Sequence, residues 1–165
     1  MTRPTKKKTV RHMRARRGRD AIALLKADHR QVAKWFAQFQ KARTASRKST
    51  LAGQICGALT VHMAIEEQIF YPAFIAATKD ADTHHEAIVE HAGAKYLIRQ
   101  IENSGPADDY FVSKVHVLAE MIKRHVKEEE QRGGMFAEAR ASKMDLSALG
   151  ARLLERKRDL MANRS

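Results

Sequence analysis

The sequence predicts an all-α protein: an up-down-up-down four-helix bundle with a short extra helix at the C-terminal end. Three observations carry this. Stripe positions recur at three- and four-residue steps through four long segments, alternating strictly in the first, the seam of a bundle helix. Only three Pro and eight Gly interrupt 165 residues, and the chain is 44% hydrophobic but only 6% aromatic, which suits Ala/Leu-rich helices better than a β-sandwich. The connections between the periodic segments are short, so sequence neighbours run antiparallel. The length supports one domain with one sizeable core.

The first helix is expected from about Asp20, a good N-cap, to about Ala45, with the stripe Ile22, Leu25, His29, Val32, Phe36, Phe39. The second starts near Ser49 or Thr50 and carries Leu51, Ile55, Leu59, His62, Glu66 and Ile69, with Phe70 beside it; Pro72 bends or ends it, and Phe74 continues the packing. The third opens at Thr83-His-His-Glu86, a capping-box pattern, and carries His84, Ile88, His91, Ala94, Ile98 and Ile101. Asn103-Ser-Gly-Pro106 stops it. The fourth runs from about Asp108 with Phe111, Val115, Leu118, Ile122, His125 and Glu129, and Gly133-Gly134 kinks it before Met135. A shorter helix from about Asp145 to Ala162 presents Leu146, Leu149, Leu153 and Leu160 and is expected to pack across the bundle end. The domain is thus expected over residues 20–165, with the bundle at about 20–140 and the extra helix at about 145–162.

Charge is unevenly placed. Residues 1–19 hold nine of the 31 basic residues and no acid, so +9 of the net +12 lies there and the remainder carries only +3. Such a block is expected to be a disordered, solvated tail, and it also suits contact with nucleic acid. No aromatic residue interleaves the charges, which favours the solvated reading. Cys56, the single cysteine, excludes an internal disulfide framework and a cysteine-based zinc cluster. No apolar run has the length of a membrane span and no apolar signal-peptide core follows the basic start, so a cytoplasmic protein is the expectation.

The chemistry lies in the stripes. His29, His62, His91 and His125 fall one per helix, each among apolar positions, and two of them begin the pairs His62-x-x-x-Glu66 and His125-x-x-x-Glu129. Residues i and i+4 share a helix face, so both pairs point where Leu, Ile and Phe point. A single core histidine is more often a hydrogen-bonded structural residue, and a lone helical His/Glu pair is usually a surface pair. Four imidazoles and two carboxylates buried together reverse that reading, because unpaired carboxylates almost never survive in a core and imidazole is a common metal ligand. The predicted metal ligands are therefore His29, His62, Glu66, His91, His125 and Glu129. With each carboxylate bridging, these donors make about four protein bonds per metal, and an oxo or hydroxo bridge leaves each metal about five-coordinate with a position open. The nitrogen and oxygen donor set suits iron or manganese and is compatible with zinc.

The pattern resembles the haemerythrin family, in its bacterial HHE cation-binding branch. The resemblance covers about residues 20–140 and rests on His29 in Asp-His-Arg, on His62-Met-Ala-Ile-Glu-Glu-Gln-Ile-Phe-Tyr-Pro72, on Glu90-His91 and on His125-Val-Lys-Glu-Glu129. It implies a non-haem di-iron centre, two oxo- or hydroxo-bridged irons, that binds dioxygen or related small molecules. Oxygen carriers of the family place a second histidine on the third helix, four residues from the first. Here those positions are Ala87 and Lys95, and His84 stands seven residues away, roughly 10 Å along the axis. The expected ligand set is therefore symmetric, with two histidines per metal, which disfavours reversible oxygen carriage.

Three function classes remain. The first is a di-iron protein that binds or senses dioxygen, nitric oxide or peroxide, or holds iron. The second is a catalase- or peroxidase-type enzyme, for which no dedicated acid or base is legible beside the ligands. The third is a nucleic-acid-associated protein acting through the basic tail. His12 reads as solvated, His85 as off the stripe and His116 as outward-facing; Glu67, Glu90, Glu128 and Glu130 read as solvated neighbours. Cys56, Trp35, Phe36 and Phe39 read as packing residues.

Overall fold

Asp20 closes the first turn of helix α1 (Ala21–Lys41), its carboxylate accepting from the Ile22 and Ala23 amides at 2.8 and 3.2 Å. The structure is a computed structural model and describes residues 20–164; the basic segment 1–19, and with it the expectation of a disordered tail, lies outside the described residues. Helix α2 is Ala45–Ile65, followed by a π-helical turn at Glu66–Phe70 and then α3 at Tyr71–Thr78. The chain continues through α4 (Ala81–Asn103), α5 (Phe111–Glu130), α6 (Met135–Ala141) and α7 (Leu146–Ala162).

These elements form the expected up-down-up-down four-helix bundle. The ring of neighbours is α1 with α2, α2 with α4, α4 with α5 and α5 with α1. The extra helix α7 packs along α1 and α2 and against the π turn, not across the bundle end as the sequence suggested. Leu149 and Leu153 anchor it in the core.

Several boundaries differ from expectation. Helix α1 ends at Lys41 because Ala42 turns extended, and Thr44 then caps α2, accepting from the Arg47 amide; the second helix starts several residues before Ser49. Pro72 does not end the second helix. It has no N–H to return to the preceding turn, and the irregularity is taken up ahead of it, where the Tyr71 amide bonds the Glu66 carbonyl in a π turn. Helix α4 begins at Ala81 because Asp80, one turn ahead of the expected capping box, accepts from the Thr83 amide at 3.1 Å. Ile88 is exposed and Ala87 takes its inward place. The fourth helix stops at Glu130, and Gly133, with φ +79°, reverses the chain into α6.

The core divides into two apolar clusters. One gathers Val32, Phe36, Phe39, Leu51, Ile55 and Leu118 with their neighbours. The other gathers Ile22, Leu25, Ile65, Phe70, Tyr71 and Phe136. Along α1, His29 falls between Leu25 of one cluster and Val32 of the other; along α4, His91 falls between Ala87 and Ala94 in the same way. The buried polar residues thus form a layer sealed above and below by hydrocarbon.

Candidate metal centre

The structure brings all six predicted residues together. His29, His62, Glu66, His91, His125 and Glu129 are the buried polar residues of the described chain, and each is less than 10% exposed. Helical phase explains the convergence: His62 and Glu66 lie one turn apart, as do His125 and Glu129, so each pair faces the axis together.

The imidazoles meet in two pairs. The Nε2 atoms of His29 and His62 are 3.0 Å apart, and those of His91 and His125 are 3.3 Å apart. Each carboxylate reaches both pairs. Glu66 places Oε1 3.2 Å from His62 Nε2 and Oε2 3.3 Å from His91 Nε2. Glu129 places Oε2 3.4 Å from His29 Nε2 and Oε1 3.6 Å from His125 Nε2. Two triads, His29–His62–Glu66 and Glu66–His91–His125, present donor atoms all within 4.8 Å of one another and can each hold a metal ion.

The outer ring nitrogens are held by acids. His29 Nδ1 bonds Glu130 at 2.7 Å, His91 Nδ1 bonds Glu67 at 2.9 Å, and His125 Nδ1 bonds Glu90 at 2.8 Å. His62 Nδ1 lies 3.4 Å from Asp28. A carboxylate accepts a hydrogen bond from the Nδ1–H it faces, which turns the Nε2 lone pair inward. Sequence reading had assigned Glu67, Glu90 and Glu130 to solvent, and the structure corrects this. A signal was present: Asp28-His29 and His62-x-x-x-Glu66-Glu67 are repeated as Glu90-His91 and His125-x-x-x-Glu129-Glu130. The cross-links follow that repeat, each half donating one acid to its own second histidine and one to the other half's first.

Tyr71 is the other residue that sequence reading passed over. It is fully buried, and its hydroxyl lies 3.1 Å from His91 Nε2 and donates toward Glu129 Oε1 at 3.1 Å and Glu66 Oε2 at 3.4 Å. The π turn places it: a π turn advances the phase of the chain, so that Glu66, Phe70 and Tyr71 are all buried. His84 packs edge-on against Tyr71 and stands outside the two triads. His85 and His116 are exposed, as expected. Lys95 reaches the site only through Glu67, at 2.6 Å.

Electrostatics separate the two carboxylates. Burial disfavours the Glu66 charge, but His62 and His91 outweigh it and hold Glu66 well below the usual carboxylate range. Burial and the Glu66 charge push Glu129 up to about 7. Burial and the neighbouring His62 push His29 down to about 4. At His62 the effect of burial is overcome by Glu66 and Asp28, which hold it up to about 10. The outer acid Glu90, bonded by His125, is lowered to about 2.

The residues present fit a metal pair. Glu66 Oε1 and Glu129 Oε2 are buried and accept no hydrogen bond from any described protein group, although imidazoles stand within ion-pair distance. A buried carboxylate oxygen left in this way costs free energy that a cation would offset. Both oxygens face the His29–His62 pair, whereas their partner oxygens face Tyr71.

The sequence matches the haemerythrin HHE cation-binding domain over residues 20–133, so the chain belongs to that family. A haemerythrin HHE cation-binding domain-containing protein from Mycobacterium kansasii shares the fold, with a TM-score of 0.73 at 19% identity over 87% of this chain and 88% of that one. A protein of Nostoc sp. (strain PCC 7120) named DNA nickase is 30% identical over 107 residues, which is 65% of this chain but 30% of that protein. No helix among the described residues is long and apolar enough to cross a membrane.

Proposed function

We propose that the protein is a non-haem di-iron protein that binds or senses dioxygen, nitric oxide or peroxide, or holds iron, with His29, His62, Glu66, His91, His125 and Glu129 as the ligands. The observation that carries this reading is the pair of carboxylates whose two oxygens each face a different histidine pair, with one oxygen on each left without a hydrogen bond. Glu66 and Glu129 would bridge; each histidine pair would hold one metal. Iron is favoured by the family, and manganese or zinc fits the same donors. The domain is taken as residues 20–165, the bundle at about 20–140 with α7 folded along it.

When bound, an iron pair would supply redox chemistry and affinity for a small ligand. The chain's own groups do the rest. Asp28, Glu67, Glu90 and Glu130 fix ring orientation. The apolar clusters above and below keep water out, which slows hydrolytic loss of whatever binds. Tyr71 holds its proton, because burial and the Glu66 and Glu129 charges raise its phenol well above its ordinary range. It can therefore donate a hydrogen bond on the His91–His125 side.

That phenol favours a second reading, peroxide turnover, since a fixed proton donor stands beside the proposed ligands. A cytoplasmic location remains part of the proposal.

Metal analysis of protein loaded with iron in cells tests the main reading. About two irons per chain are expected from the donor count, with the near-ultraviolet absorption of an oxo-bridged ferric pair. Glu66→Ala and Glu129→Ala should each lose the pair, whereas His116→Ala should keep it. One tightly held zinc and no iron would overturn the assignment.

A further inference from the structure

We propose that the groove between α1, α2 and α7 is a binding site for a small carboxylate with an apolar body, separate from the metal centre. The groove has a volume of about 320 Å³, the size of a small-molecule site. Its wall on α2 is bare where Gly53 and Gly57 stand. A Cβ built on Gly53 would meet no atom within 4 Å, and one on Gly57 would meet only the Arg164 guanidinium, at 3.6 Å. Trp35, Val61 and Ala58 give it hydrocarbon sides.

Its charge is positive. Lys157 and Arg164 line it with one acid, Asp28, so two cations against one anion leave a lining of +1. Lys157 is held by Asp28, and Arg164 is the more loosely paired of the two. It forms an ion pair with Glu102 at 3.6 Å, longer than a hydrogen bond, and its side chain is 40% exposed, so a ligand carboxylate can compete for it. A guanidinium forks onto a carboxylate, and the apolar walls take the rest of such a ligand. A single loosely paired guanidinium suits a monoanion. The groove touches the metal centre at a single residue, Asp28, which accepts from both Lys157 and His62. A carboxylate seated beside Lys157 therefore binds next to the acid that orients His62 without entering the centre.

Trp35 is the only tryptophan of the chain and lines the groove, so tryptophan fluorescence reports on it. The experiment titrates octanoate, with octan-1-ol as the uncharged control, into the full-length protein and follows Trp35 emission. A saturable blue shift is expected with octanoate, and octanol should bind at least about tenfold more weakly because a hydroxyl cannot make the forked, charge-assisted pair with Arg164. Gly53→Leu fills the groove and should weaken octanoate by about tenfold or more through lost apolar contact. That variant replaces a poor helix former with a good one, so folding is not at risk. Arg164→Gln should remove the preference for octanoate over octanol. No saturable shift, equal binding of the two probes to the parent, or undiminished binding to Gly53→Leu would each overturn the proposal.

Discussion

Asp28 and Glu90 each stand immediately before a histidine of the centre, yet each bonds the histidine of the next long helix, His62 and His125. Glu67 and Glu130 reach across to His91 and His29. Orientation of a ligating imidazole by such an acid commonly changes metal affinity by about 10–100-fold. Glu67→Ala and Glu130→Ala are therefore expected to weaken iron binding by about that factor while leaving the fold intact, and Glu128→Ala, whose side chain is 46% exposed, should not. Competition with a chelator measures it; equal iron retention in all three variants would return Glu67 and Glu130 to the surface role first expected. The six central residues were legible because their spacing placed polar groups where apolar ones belong. The outer acids were not, because a residue next to a stripe is read as solvated until a neighbouring helix is known to lie beside it. Tyr71 was hidden for a different reason: its direction depends on a π turn.

That turn shows what is lost between residue and element. Hydrophobic periodicity assumes one phase along a helix, and the phase shifts at Glu66–Phe70. Pro72 marks the place as a bend or an end, and the chain takes the first course, absorbing the missing donor in the π turn and carrying on to Thr78. The Gly133-Gly134 pair was read correctly as an interruption, and each glycine now has its own reason. Gly133 holds a left-handed φ. Gly134 is packed so closely that a Cβ would lie 2.2 Å from the Glu128 carbonyl oxygen and 3.0 Å from that of Glu129. Those carbonyls belong to the last turn of α5, which carries a proposed bridging ligand. Gly134→Ala should therefore cost about 1–3 kcal/mol of stability as an overpacked site and should lower iron content with it. Gly105→Ala, where a Cβ meets nothing within 4 Å, is the control. Denaturation midpoints of the two variants compare them directly. If Gly134→Ala matches the parent in midpoint and iron content, the close approach to α5 does not constrain the centre.

At the scale of the whole molecule, a near-symmetric site is set in an asymmetric shell. The acid–histidine pattern repeats between the two halves of the bundle, but Tyr71 bonds His91, and α7 packs on α1, α2 and the π turn, the side of His29 and His62. The basic residues add a further asymmetry, since +9 of the net +12 lies in residues 1–19, which supply none of the proposed ligands. Charge and metal chemistry should then separate. Removing residues 1–19 should leave iron content and the optical spectrum unchanged, because the ligand stripe begins in α1. The Nostoc relative named DNA nickase gives a reason to test nucleic acid, although its similarity covers 30% of that protein. If the basic segment recruits duplex DNA, retention by the full chain should fall steeply with salt, because counterions released on binding gain less entropy as the salt rises, and the shortened chain should retain far less. Equal retention by both at moderate salt would exclude the segment. It would move any acidic-partner surface onto the bundle itself, where Arg152, Arg156, Lys157 and Arg158 lie along α7.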